Sequence, residues 1–211
     1  VTDPTAAAAV PAPLGVAFYF DPACPFAWLT SRWITLVAHH RDLAIDWRPY
    51  SLTVKNAGVA IPEEYRAPMQ AGHRALRVVA AALAAGAPAE KIGRLSTEFG
   101  RRIHHEGDPL LVGLTAAVVA AGFDAGLAAF ADDETLDAAV TASTDEGRAL
   151  VGDDVGVPIV APEGAQAFFG PVISRVPDLD GALRLWDGLL LVAGVDHVFE
   201  IKRTRTGSLE L

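Results

Sequence analysis

Apolar and polar positions change rhythm three times along the chain. Val16–Phe20 (VAFYF) is a β-branched and aromatic run between Gly15 and the Asp21-Pro22 turn, which predicts a buried strand. Behind Pro25, residues Phe26, Leu29, Trp33, Leu36 and Val37 recur at helical spacing through to His40. Proline suits the first position of a helix, where a backbone N–H has no intrahelical partner anyway. Leu43–Pro49 (LAIDWRP) then alternates, as a second strand does. Strand, helix and strand in succession predict a βαβ unit with a right-handed crossover.

From about Ile61 to Leu150 the period becomes helical throughout. Leu76, Val79, Ala80 and Leu83 form one stripe, and Leu111, Leu114 and Val118 another. Asp108-Pro109 reads as an N-cap with a first-turn proline, and Gly86, Gly107 and Gly122 as helix stops. Strand character returns in Val157–Val160 and Ala165–Phe169, which a Pro-Glu-Gly turn joins into a predicted hairpin. A last helix carries Leu179, Leu183, Trp186 and Leu190 on one face. The order β-α-β, helices, β-β-α predicts an α/β fold with an inserted all-helical domain. Its expected parts are a disordered Ala/Pro arm (1–14), an α/β domain (15–60 with 151–200), the insertion (61–150) and a tail (201–211).

Composition narrows the function classes. Over 211 residues, 51% are hydrophobic and 20% charged, which excludes a disordered or collagen-like chain. A net charge of −9 argues against a nucleic-acid platform. Residues 1–14 lack the basic start and apolar core of a signal peptide. The apolar-rich stretch Ala75–Ala87 is broken by Arg77 and Gly86, so no membrane span is expected. The expectation is a cytoplasmic protein acting on a small molecule. No pattern decides between a monomer and a homodimer.

Cys24 is the sole cysteine, which excludes an intrachain disulfide and any multi-cysteine metal site. It stands in Asp21-Pro22-Ala23-Cys24-Pro25-Phe26-Ala27-Trp28, where the first strand meets the first helix. A sulfur at a helix N-terminus feels the positive end of the macrodipole and unpaired N–H groups, both of which favour thiolate. An exposed, nucleophilic Cys24 is therefore expected, against the alternative of a buried, inert one. Val157-Pro158 is a second signal, because a proline opening a strand calls for a positional reason. His39-His40 and His104-His105 are adjacent pairs that do not share a helix face, and no His-Glu-x-x-His pattern occurs. No metal is expected. Gly152–Gly156 lacks the spacing of a phosphate loop.

The stretches FDPACPFAWLTSRW, RIHHEG, DDVGVPIV, AFFGPVISRVP, LWD and FEIKRTRTG, spread over residues 16 to 206, resemble the DsbA-like mycothiol-dependent reductases of actinobacteria. That family is best known for nitroreductase activity. The resemblance implies a thioredoxin-like fold with inserted helices, and mycothiol or a similar low-molecular-weight thiol as co-reactant without a flavin. It implies Cys24 as the nucleophile, with Pro158 as a cis-proline that faces the thiol beside Val157. It places Asn56, Tyr65 and His104 near the cleft, His104 as a general acid, and Pro25, Phe26 and Ala27 at the substrate. Two positions depart from the family's Cys-Pro-Trp-Cys: Phe26 replaces tryptophan, and Ala27 replaces the resolving cysteine. One thiol cannot form an intramolecular disulfide, so ordinary dithiol exchange is closed to this chain. Cys-Pro-Phe-Ala is also similar to the Ser-Pro-Tyr-small motif of kappa-class glutathione transferases and hydroxychromene-carboxylate isomerases. Three functions stay open at this point: a mycothiol-linked oxidoreductase, an isomerase or thiol transferase working by reversible Cys24 addition to a conjugated substrate, and a non-catalytic binding protein. The expected ligand is a flat, apolar, conjugated or nitroaromatic molecule in a cleft walled by Phe26, Tyr65 and tryptophans.

Overall fold

The computed structural model of the protein describes residues 14–211. Strand β1 (Leu14–Phe20) runs through the interior of a four-stranded sheet of order β2-β1-β3-β4. Helix α1 (Pro25–Arg41) follows it, then β2 (Leu43–Pro49), which pairs with β1 in parallel with Phe18 opposite Trp47. The other edge of β1 takes β3 (Ile159–Pro162) antiparallel, and β3 takes the two-residue β4 (Phe168–Phe169). The remaining helices fall between β2 and β3, apart from α7 (Leu179–Ala193) after the hairpin. This is the α/β order with inserted helices that the sequence pattern predicts, and the thioredoxin-like arrangement that the resemblance implies.

Core packing follows from the aromatic content of these elements. Phe18 and Trp33 are fully buried, and Trp47 meets Phe18 edge-on at 5.3 Å. Each such side chain contributes about 1.5–3 kcal/mol through burial. Trp33 also spans to α7, where its Nε1–H donates to the Ala182 carbonyl at 3.0 Å. The α7 face that buries centres on Ala182 and Trp186. Leu179, expected on it, is exposed because it occupies the first turn beyond the sheet's cover.

The helical insertion comprises α2 (Leu52–Lys55), α3 (Glu63–Ala84), α4 (Ala89–His104), α5 (Leu114–Ala120), two 3-10 segments (Ala125–Asp132 and Glu134–Leu136) and α6 (Asp137–Val151). Gly86 ends α3 with φ 74°, and Ala87 N–H reaches back to the Ala82 carbonyl at 3.0 Å, closing a Schellman turn.

Several expectations need correction. Leu14, placed in the arm, opens β1 opposite Leu43; the rest of the arm, 1–13, lies outside the described residues. Val151, assigned to the α/β part, still belongs to α6. Asp108-Pro109 does not start α5. The Asp108 carboxylate instead accepts from Val112 N–H (2.9 Å) and Gly113 N–H (2.8 Å), and Leu111 turns left-handed at φ 49°, which breaks a helix there. Both hairpin strands start later than expected, and the second is cut to two residues. Pro158 has no N–H to give to the ladder, and the Val157 carbonyl faces Cys24 rather than β1.

Candidate active site

Cys24 is the N-cap of α1, in extended geometry (φ −85°, ψ 114°), with Pro25 at the first helical position. Its sulfur accepts from Ala27 N–H at 3.4 Å, as a capping atom does, and its S–H donates to the Val157 carbonyl at 3.5 Å. Val157-Pro158 is a cis peptide, as is Gly170-Pro171. Two segments distant in sequence therefore meet at one sulfur: the strand-to-helix turn and the entry to β3.

The sulfur is not at an open edge. Cys24 is only 8% exposed, and burial pushes its thiol up to about 11. The Ala27 and Phe26 backbone N–H groups and the Arg205 guanidinium pull the other way, while the Asp21 carboxylate adds to the rise. Desolvation thus opposes the thiolate that the helix terminus favours, and the open edge expected for the sulfur is closed over by its neighbours.

Asp21, read from the sequence only as a turn residue, is the second functional group at the turn. Its buried carboxylate accepts from Ala23 N–H at 2.9 Å and Leu52 N–H at 2.7 Å, tying the cysteine turn to the start of α2. Helix α3 presses against it at Gly72, where a Cβ would strike the Asp21 carboxylate. Burial raises the Asp21 carboxyl to about 6, with the two backbone N–H groups opposing. A carboxyl raised on folding favours the folded state below its ordinary range and loses that contribution as pH rises through about 6. Between about pH 4 and pH 7, the stability of wild type should fall by about 2–3 kcal/mol more than that of Asp21→Asn does. Urea denaturation of both proteins across that range checks the difference; parallel pH profiles would contradict it.

His104 ends α4 and braces the same turn. Its Nε2 lies 2.9 Å from the Pro22 carbonyl, which can only accept, so Nε2 carries the proton. Its ring stacks on Trp28 at 5.9 Å, and burial lowers its pKa. Neighbouring His105 takes the Trp28 indole N–H at 3.1 Å. Helix α4 reaches α1 this closely because residue 100 is glycine; a Cβ there would strike the Trp28 ring.

The other expected residues divide. Ala27 is buried beneath the sulfur, and Phe26 is half-buried with the Arg205 guanidinium 5.0 Å above its ring. Asn56 caps α2, its Nδ2 donating to the Leu52 carbonyl at 2.8 Å. Tyr65 is 57% exposed on the first turn of α3, and its hydroxyl makes no hydrogen bond among the described residues. A groove of about 1230 Å³ starts one turn along α1, at Trp28, and neither Phe26 nor Tyr65 lines it. Among the described residues no cluster of three His, Cys, Asp or Glu could hold a metal, and no helix is long and apolar enough to cross a membrane.

A second buried polar chain was not foreseen from the sequence. Ser51 Oγ meets His73 Nδ1 at 2.9 Å, His73 Nε2 meets Asp137 Oδ1 at 2.9 Å, and Asp137 pairs with Arg77. This has the composition of a hydrolytic triad without its access. Ser51 Oγ is fully buried and already caps Val54 N–H at 3.2 Å, so the chain fastens α3 and α6 to the end of β2. Only the i, i+4 pair His73 and Arg77 on one α3 face could have hinted at it.

Comparison with known proteins agrees with this architecture. The chain is similar to 2-hydroxychromene-2-carboxylate isomerase (TM-score 0.58, 20% identity, 83% of this chain and 94% of that one). It is similar to the cytosolic disulfide reductase DsbM of Pseudomonas aeruginosa in complex with GSH (TM-score 0.56, 15% identity, 84% and 100%) and to DsbA of the same organism (0.53, 13%, 87% and 85%). At these identities the likeness shows the fold. In sequence it is 32% identical over 202 residues to the uncharacterized protein Rv2286c of Mycobacterium tuberculosis, covering 90% of this chain and 82% of that relative. A family model described as Rv2466c-like, mycothiol-dependent nitroreductase Rv2466c, matches residues 23–203, and the chain belongs to that family.

Proposed function

We propose that the protein is a monothiol oxidoreductase in which Cys24 exchanges with a small electrophilic substrate and mycothiol is consumed as reductant. The observation that carries this reading is the position of Cys24 Sγ, capped by Ala27 N–H and facing the Val157 carbonyl. An incoming sulfur compound can lie along the Val157-Pro158 edge, where Pro158 offers no ladder N–H. A cysteinyl thiol fits this setting, since the same N–H that caps Cys24 can stabilise negative charge on either sulfur. Family membership supports a low-molecular-weight thiol in that role.

The step balances with one protein sulfur. With a mixed disulfide of mycothiol and a small thiol R–SH, Cys24 attacks the mycothiol-side sulfur, the disulfide bond breaks, and R–S⁻ leaves with the proton Cys24 gives up. The resulting Cys24 mixed disulfide is attacked by a second mycothiol, which releases Cys24 and forms mycothiol disulfide. In net, the mixed disulfide and one free mycothiol become mycothiol disulfide and R–SH, one S–S bond breaking and one forming. Ala27, buried where a resolving cysteine would stand, makes the external thiol obligatory. The cationic Arg205 above Phe26 and the neutral imidazole of His104 at the Pro22 carbonyl frame a site suited to an apolar or nitroaromatic substrate.

A second reading rests on the same buried Ala27. Reversible addition of Cys24 to a conjugated alkene, rotation and elimination isomerise a double bond without a second thiol or net electron transfer. Initial-rate kinetics separate the two. Exchange predicts ping-pong dependence on mycothiol and the mixed disulfide of mycothiol with cysteamine. Intersecting lines or no turnover contradict it, and isomerisation of a polyenoyl substrate without thiol consumption favours the second.

A further inference from the structure

The groove beside Trp28 holds a charge that the Cys24 chemistry does not use. Arg32, two turns along α1, is half-buried in its wall, and among the described residues no carboxylate lies within ion-pairing distance of it. Its Nε donates to Ser31 Oγ at 3.2 Å, one Nη2 hydrogen goes to Thr97 Oγ1 at 2.8 Å, and its plane rests 4.4 Å from the Trp28 ring. A guanidinium has five N–H donors, so three remain without a protein acceptor. Burial lowers its pKa to about 10, which leaves it charged at neutral pH. A desolvated cation without a counter-charge is costly, and that cost is recovered when an anion arrives. The acids nearby are committed or outlying: Glu106 pairs with Arg101 and Arg102, Asp178 caps α7, and Glu210 is exposed. Arg175 also lines the groove and is exposed, without an ion pair among the described residues. Leu29, Val176 and Pro177 give the same groove apolar lining.

The geometry points to this groove as a binding site for a small organic carboxylate, its apolar body against Leu29, Val176 and Pro177 and its carboxylate on the free donors of Arg32, with the exposed Arg175 adding positive charge to the lining. Planar, paired donors match the two oxygens of a carboxylate. About 1230 Å³ is ample for a two-ring acid. The site is independent of thiol exchange at Cys24.

The test is titration of the full protein with 1-naphthoate and, separately, 1-naphthamide, followed by calorimetry and by the NMR signal of the Trp28 indole N–H. Naphthoate should bind about tenfold or more tighter than the amide, because a charge-assisted hydrogen bond contributes at least one decade. It should shift the Trp28 signal. Arg32→Gln should abolish this preference, Arg32→Lys should restore part of it by keeping the charge, and Arg175→Gln, on the surface and without consequence for folding, should weaken naphthoate alone. Cys24→Ser should bind naphthoate as wild type does, which keeps this result separate from the fate of the thiol reading. Equal affinity for acid and amide, an unmoved Trp28 signal, or an acid preference that survives both Arg32→Gln and Arg175→Gln would overturn the assignment.

Discussion

Cys24→Ser should reduce mycothiol-dependent turnover by about 10³-fold or more while leaving the protein as stable as wild type. A hydroxyl cannot form the mixed disulfide, so both halves of the exchange are lost together. The fold tolerates the change for a local reason. Serine is among the best N-cap residues, and its Oγ can take Ala27 N–H and donate to the Val157 carbonyl much as the thiol does. A thermal or urea midpoint equal to or slightly above wild type, measured on the same preparation, therefore turns lost activity into a statement about chemistry. Residual turnover within tenfold of wild type would remove Cys24 from the reaction.

The second large effect concerns the same sulfur at rest. With its thiol pushed up to about 11, the thiolate fraction of Cys24 near neutral pH is about a hundredfold below that of an ordinary cysteine. Iodoacetamide should modify Cys24 about a hundredfold more slowly than free cysteine at pH 7.5, and the rate should climb about tenfold per pH unit without levelling below about pH 9.5. A plateau below pH 8 would mean that the helix N-terminus and the Ala27 N–H outweigh burial after all. The slow resting reaction has a functional side: a thiol that ionises only as an electrophile reaches it is protected from indiscriminate oxidation. Asp21, raised to about 6 and acting on Cys24 through its charge, ties that protection to the turn itself.

The parts legible in the sequence are those that local pattern controls. The VAFYF run, Pro25 behind Cys24 and the helical spacing through Val37 place the sulfur at the strand-to-helix junction, where the structure has it. Gly86 stops α3 because its left-handed turn is a local event. What could not be read depends on neighbours from elsewhere in the chain. Cys24 meets the carbonyl of Val157, 133 positions away, and the Asp21-Ala23 turn before it packs on α3 at Gly72. Asp21 looks like any Asp-Pro turn until Leu52 and Gly72 close over it. The Asp108 carboxylate does take backbone N–H groups, those of Val112 and Gly113, but the left-handed Leu111 keeps a helix from growing from it. The groove is assembled from α1, the end of α4, the loop before α7 and the last residues of the chain, so no single window announces it.

Whether one protein sulfur passes through a mixed disulfide with an external thiol can be read by intact-mass spectrometry of protein acid-quenched during turnover with mycothiol and its cysteamine mixed disulfide. The expected result is a single reducible adduct of one mycothiol, located on the peptide that contains Cys24, absent in Cys24→Ser and discharged by excess mycothiol. Turnover at full rate with the protein at its unmodified mass throughout would contradict it.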